Sequence, residues 1–174
     1  MKKLLIVVDY QIDFVSGSLG FPKAKTLEMG IVDKIMEFEN NGDDVIFTLD
    51  THYDNYNETI EGKNLPISHC IKGTPGHKLY GSVLEMSLPH RVFEKETFGS
   101  SKLYEYLKEN KYSEVALCGV VTNICVISNA VVAKTALPNA EIVIYKDLVA
   151  SNDPVMEEKA FEINEKTGDY RYQF

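Results

Sequence analysis

A chain of 174 residues with 44% apolar content can bury one core without disulfide or metal staples, and a single domain over 1–174 is expected. Its formal net charge of −8 argues against nucleic acid and anionic membrane surfaces, which are bound by clustered Lys and Arg, and leaves a small molecule or another protein as partner. No apolar run approaches the roughly 18 residues of a membrane span, and the opening MKKLLIVVD is too short and too quickly charged for a signal peptide.

A cytoplasmic location follows as the expectation, and three cysteines, Cys70, Cys118 and Cys125, then read as thiols rather than as a disulfide framework.

In chain order, LLIVVD (4–9) is a continuous apolar run of the kind a strand covered on both faces presents. A helix follows: Thr26 is a candidate N-cap, Leu27, Ile31, Ile35 and Phe38 recur at helical spacing, and Asn40, Asn41 and Gly42 stop the run. DVIFTLD (44–50), RVFEK (91–95), EVALCG (114–119) and AEIVIYKD (140–147) read as further strands. SSKLYEYLKENK and TNICVISNAVVAKTA read as the intervening helices, and Asp153 with Pro154 opens a last one that runs to Gly168. This alternation predicts an α/β fold, a three-layer α/β/α arrangement around a mostly parallel central sheet. The segment 51–80 has no sustained period, and a long irregular segment inside a compact domain is commonly functional.

Open α/β sheets bind ligands beyond the carboxyl ends of their strands. There the sequence places Asp9, Asp50 with His52, Lys95, and a run from Gly119 to Cys125. Each alone has a plain alternative: Asp9 as a turn or cap residue, Lys95 as a solvated charge, Cys125 as a small buried hydrophobe. Together they converge on one crevice. Gly119 lets the chain leave its strand, Thr122 or Asn123 can cap the next helix, and Cys125 falls in that helix's first turn. A helix N-terminus and a cation such as Lys95 favour a thiolate, Asp9 can take and return its proton, and backbone N–H groups of the turn can face an oxyanion.

VVDYQIDF around Asp9, FEKETF around Lys95 and CGVVTNICV around Cys125 resemble the three motifs of the isochorismatase-like cysteine hydrolases, and among them the nicotinamidase-related amidases, over nearly the whole chain. The resemblance implies the isochorismatase-like hydrolase fold and an Asp9, Lys95, Cys125 triad with a thioester intermediate. It also implies a non-proline cis peptide between Val120 and Val121 that aims N–H groups of Val121 and Cys125 into an oxyanion hole. Isochorismatases proper lack the cysteine nucleophile, so Cys125 points to the amidase branch. LDTH and LPISHC likewise resemble the metal-binding segments of nicotinamidases, which implies Asp50, His52 and His69 as ligands, with Glu61 joining through a water. Two imidazoles and carboxylates suit zinc foremost, with iron or manganese as alternatives. On residue type alone, Asp50 reads as a turn cap and the two histidines as surface or packing residues.

One departure concerns substrate contacts. Nicotinamidases carry a tryptophan before the proline of the WPxHC motif; this chain has no tryptophan, and Leu65 stands near that place in LPISHC. The expected contacts are Phe14, which reads equally as core, with Leu65 and Val120. Cys118 reads as core, and His77 and His90 as loop surface. The leading expectation is a cysteine amidase that releases ammonia from a small planar amide, nicotinamide foremost, in a homo-oligomer. The alternatives are an amidohydrolase of ureido or carbamoyl compounds and a non-catalytic binding protein of the same fold. A nucleotide-binding domain is disfavoured, because no GxGxxG follows the first strand and no GxxxxGK[ST] occurs.

Overall fold

The structure, a computed structural model, describes residues 1–167 and 170–173. Among the described residues six strands form one sheet: β1 (Lys3–Val8), β2 (Asp44–Asp50), β3 (Arg91–Lys95), β4 (Glu114–Val120), β5 (Glu141–Ala150) and β6 (Tyr170–Gln173). Their order is β3-β2-β1-β4-β5-β6, and every neighbouring pair is parallel. Successive strands run outward from β1 in one direction and from β4 in the other, so the order reverses between these two. That reversal opens a crevice at their carboxyl ends.

Alternation along each strand divides the core into two layers. Leu5, Val7, Val45 and Phe47 face Ile31, Ile35 and Phe38 of α3 (Glu28–Asn40) and Val83 of α5 (Gly81–Ser87). Leu4, Ile6, Val8 and Ile46 face the other way. They meet Leu103 and Leu107 of α6 (Ser101–Glu109), Ala130 and Ala133 of α7 (Ile127–Ala136), and Phe161 of α8 (Pro154–Thr167). The central strands are apolar at consecutive positions because both faces are covered, each buried Val, Leu or Ile contributing about 1.5–3 kcal/mol. The three-layer expectation therefore holds, with a sheet that is parallel throughout its described strands.

Several local expectations change. Thr26 does not cap α3; it closes the short α2 (Pro22–Lys25), its hydroxyl donating to the Lys23 carbonyl, and α3 begins at Glu28. A further short helix, α1 (Ile12–Val15), follows β1 directly. The fifth strand continues to Ala150 because a register shift opposite Leu117–Gly119 absorbs the residues between Ile144 and Val149. In the irregular segment, a 3-10 turn at Tyr56–Glu58 leads into α4 (Ile60–Asn64), whose cap Thr59 accepts a hydrogen bond from the Gly62 amide. Helix α8 extends to Thr167, and the expected end at Gly168 lies outside the described residues. Among the described residues no helix is long and apolar enough to cross a membrane.

Candidate active site

Asp9 follows β1 with φ of 46°, in the left-handed region that few residues other than glycine, asparagine and aspartate enter. The adjacent strand holds it there: its amide donates to the Thr48 carbonyl at 3.2 Å, and its Oδ1 accepts from the Thr48 hydroxyl at 2.7 Å. Lys95 ends β3, two strands away, and reaches across with its side chain buried. Its Nζ lies 2.6 Å from Asp9 Oδ2, 3.1 Å from the Thr97 carbonyl, 3.4 Å from Asp50 Oδ1 and 3.6 Å from Cys125 Sγ.

Cys125 arrives by a different route. Gly119 takes φ of 111°, where a Cβ would sit 2.1 Å from the Val8 carbonyl oxygen, so only glycine lets β4 leave the sheet against β1. The Val120–Val121 peptide is cis. A π-helical turn, Thr122–Val126, then carries Cys125 into α7, with the amides of Ile124 and Val126 both donating to the Val121 carbonyl. Neither expected cap acts as one. The Thr122 hydroxyl donates to Glu157 Oε1 at 2.7 Å, and Asn123 Oδ1 accepts from the Ser151 hydroxyl at 2.6 Å. Behind the thiol, Asn129 Nδ2 donates to the carbonyls of Cys125 at 2.8 Å and Phe98 at 3.0 Å.

The electrostatics correct the thiolate expectation. Burial pushes the Cys125 thiol well above its ordinary pKa, and the negative charge of Asp9 adds to this, outweighing Lys95. The balance therefore favours the protonated thiol over the thiolate. Burial also raises Asp9 above the usual carboxylate range despite the neighbouring ammonium, which makes Asp9 a better acceptor for that proton.

Next to this trio, ligand atoms of Asp50, His52, Glu61 and His69 all lie within 4.8 Å of one another. Both imidazoles turn Nε2 toward Asp50 Oδ2, at 3.0 Å for His52 and 3.4 Å for His69, and toward Glu61 Oε1, at 3.6 and 3.7 Å. His69 Nδ1 lies 2.8 Å from the Ile67 carbonyl, an acceptor, so this nitrogen carries the hydrogen and leaves the Nε2 lone pair free. His52 Nε2 is buried and makes no well-aligned hydrogen bond among the described residues, its 3.0 Å approach to Asp50 Oδ2 included. An orphaned imidazole nitrogen, a second free lone pair and two converging carboxylates make a donor set that fits a divalent cation. Burial and the Asp50 charge raise the pKa of Glu61, the mutual repulsion a cation would relieve.

An open cavity of about 860 Å³ is lined by Cys125 and by all four residues of the ligand cluster, while Asp9 and Lys95 are not part of its wall. Phe14 and Leu65 line it, together with Val121, Ile124, Phe98 and Tyr56. Val120 does not. The chain alternates at the end of β4, so Val120 points into the core with no exposure and Val121 takes the place at the cavity wall. Cys118 and Cys70 are buried in the core. The loop-surface expectation fails for His77, which is buried with Nε2 2.8 Å from the Thr51 hydroxyl; His90 is half-buried against Phe47 and lies 2.7 Å from Glu39.

The isochorismatase domain matches residues 3–169. The chain belongs to the isochorismatase family. Within that family, the Bacillus subtilis isochorismatase family protein PncA is 36% identical over 164 residues, 87% of each chain. The crystal structure of nicotinamidase PncA from Bacillus subtilis aligns over the whole of both chains with a TM-score of 0.88 at 31% identity. That of the pyrazinamidase of Pyrococcus horikoshii in complex with zinc also aligns over the whole of both chains, with a TM-score of 0.86 at 27% identity.

Within this isochorismatase-family chain, the supporting residues are those that sequence reasoning passed over. Gln11, fully buried, donates to the carbonyls of Asp50 at 2.9 Å and His77 at 2.8 Å and accepts from the Asp50 amide at 2.8 Å. Asp13 Oδ2 accepts from the Cys70 amide at 2.8 Å, which fixes the chain just after His69. Tyr56 packs its ring 4.7 Å from that of His52 and 5.1 Å from that of His69. Gln11 and Asp13 stood inside VVDYQIDF, and that was their only signal; their residue types carry none.

Proposed function

We propose that this chain is a cysteine amidase that releases ammonia from a small planar amide, nicotinamide foremost. The observation that carries the reading is the convergence of Asp9, Lys95 and Cys125, with the thiol at the wall of a cavity that a four-residue ligand cluster also lines. The family membership and the nicotinamidase and pyrazinamidase relatives support it.

In this reading Asp9 removes the Cys125 proton as sulfur attacks the amide carbon, forming the C–S bond and a tetrahedral oxyanion that faces the N–H groups of Val121 and Cys125. Lys95 stays charged and balances the negative charge as it passes from Asp9 to sulfur. Asp9 returns the proton to the departing nitrogen, the C–N bond breaks, and ammonia leaves a thioester. Water, deprotonated by Asp9, then cleaves the C–S bond, giving the carboxylic acid and restoring the thiol.

Asp50, His52 and His69, with Glu61, would hold a divalent ion, zinc foremost; when bound it supplies a Lewis-acid contact for a ring nitrogen and so orients the amide. Phe14 and Leu65 would flank the ring.

Ammonia release by metal-loaded protein, measured on nicotinamide, pyrazinamide, benzamide and a ureido compound, tests the reading. Nicotinamide and pyrazinamide are expected to turn over much faster than benzamide, with the difference erased by chelation. Equal rates on benzamide, or release from the ureido compound alone, would remove the nicotinamidase reading and leave a cysteine amidase of other specificity.

A further inference from the structure

The turn that carries Cys125 is tied by two successive side chains to the junction of β5 and α8. Thr122, buried, donates its hydroxyl proton to Glu157 Oε1 at 2.7 Å, and Asn123 Oδ1 accepts from the Ser151 hydroxyl at 2.6 Å. Glu157 is itself buried in the first turn of α8, and its other oxygen, Oε2, pairs with Lys23 of α2 at 2.9 Å. The Ser151 hydroxyl in turn accepts from the Asp153 amide at 3.0 Å, and Asp153 Oδ1 caps α8 by accepting from the amides of Val155 and Met156.

A buried carboxylate is costly unless it is paired and hydrogen-bonded. Glu157 meets that condition with one bond to α2 and one to the residue that opens the nucleophile's turn. Asp9, just past β1, and Lys95, at the end of β3, lie across β4 from the junction of β5 and α8, and the bonds of Glu157 go to Lys23 and Thr122, not to the thiol's proton partners.

We propose that Glu157 is a positioning residue for amide hydrolysis. Through Thr122 it fixes the backbone of the turn, and with it the direction of the Val121 and Cys125 N–H groups, without setting the reactivity of the thiol. The inference rests on the reading of Cys125 as nucleophile and adds a residue about thirty positions further along the chain to its machinery. Pre-organised donors lose their effect when displaced by a fraction of an ångström, since they act on charge present only in the transition state. Alkylation of the thiol forms no oxyanion and does not use them.

The test compares the zinc-loaded full chain with Glu157→Ala, Glu157→Gln, Thr122→Val and Thr122→Ser. It reads kcat and KM on nicotinamide, the rate of iodoacetamide labelling at Cys125 by peptide mapping, and thermal melting. Glu157→Ala and Thr122→Val are expected to lose about ten- to a hundredfold in kcat, with KM and labelling within about twofold of wild type. Glu157→Gln and Thr122→Ser, which keep an acceptor and a donor, are expected to stay within about threefold, and the Glu157→Ala/Thr122→Val double variant to lose no more than either single one. Unchanged kcat in Glu157→Ala and Thr122→Val overturns the proposal. So does a fall in hydrolysis and labelling together in step with the melting temperature, which would make the contact purely structural. If Thr122→Val does not fold, the Glu157→Ala and Glu157→Gln pair decides by itself. Absence of ammonia release by wild type from every amide overturns the amidase reading and this inference with it, whereas active wild type matched by its variants overturns only this one.

Discussion

The trio of Asp9, Lys95 and Cys125, whose thiol lines the cavity, and the ligand cluster beside it are held in different ways. Asp9 and Lys95 stand at strand ends whose register is set by the parallel ladder, and Cys125 follows a third strand on a turn bonded to the sheet's neighbours. In the ligand cluster only Asp50 is on a strand. His52, Glu61 and His69 come from the segment between β2 and α5, and Gln11, Asp13 and Tyr56 hold that segment by side-chain contacts. A sheet fixes position through many backbone bonds at once, so losing one side chain leaves the others in place. The segment has few backbone ties by comparison, among them the His52 amide to the Cys70 carbonyl at 3.0 Å and the Lys72 amide to the His52 carbonyl at 2.8 Å, so each side-chain contact carries more of its position. The cysteine site is therefore expected to tolerate damage to the ligand cluster and its supports, and the cluster to be sensitive to changes far from any ligand.

The largest effect that follows is chemical. Cys125→Ala is expected to lower turnover roughly ten-thousandfold or more while metal content and melting temperature stay those of wild type, because a set of groups acting as a unit fails when one is removed. Retained activity would dismiss Cys125 as nucleophile. Iodoacetamide is expected to label Cys125 before Cys70 and Cys118, on grounds of access: burial raises all three thiols, and of the three Cys125 lines the cavity.

Next in size is loss of the ion. His52→Ala is expected to abolish stoichiometric metal binding, and Asp13→Ala, which touches no ligand atom, to weaken it about ten- to a hundredfold by freeing the Cys70 amide and the adjacent His69. Elemental analysis and metal titration check both, with Cys125 labelling as the control. Unchanged metal affinity in Asp13→Ala would show that the segment holds itself without that contact.

The same contrast explains what could be read from the sequence. β1, β2, β4 and β5 announce themselves as apolar runs because both faces are covered, and the residues just past their ends then fall at the crevice. β6 does not: Tyr170–Gln173 is an edge strand of alternating exposure, YRYQ, with no apolar run to mark it. Thr122 and Asn123 have the side chains of caps, yet each is engaged by a partner about thirty residues away, which local chemistry cannot foresee. Val120 and Val121 are alike in sequence, and only the turn after β4 decides which one meets the cavity. Thiol acidity was misjudged for a related reason, since helix end and lysine are visible in the sequence and the depth of burial is not.

A pH profile sharpens the sheet-held half. Asp9 must be ionised to take the thiol proton, so activity is present above its pKa and lost as pH falls through it. Burial places that pKa above the ordinary carboxylate value of about 3.9. The acid limb of kcat/KM for metal-loaded protein is therefore expected to have its midpoint above about 4, and labelling of Cys125 to keep rising with pH beyond about 8.5. An acid midpoint below the ordinary value would mean that the Lys95 ammonium outweighs burial.

The smallest effect concerns the wall of the cavity. Leu65 lines it from a backbone position fixed at its carbonyl, which accepts a 2.9 Å bond from the Tyr56 hydroxyl. At 36% exposure its side chain has room to grow without entering the core. An aromatic face there adds about 0.5–1.5 kcal/mol of stacking on a flat ring, equivalent to roughly two- to twelvefold in affinity. Stacking acts alike on bound substrate and on its transition state, so the gain belongs in KM and not in kcat. Leu65→Trp is accordingly expected to lower KM for nicotinamide by that factor at unchanged kcat, with a smaller change for any amide lacking a ring. A KM that does not move, with kcat reduced, would instead place the reacting amide away from this wall and assign the ring to Phe14 alone.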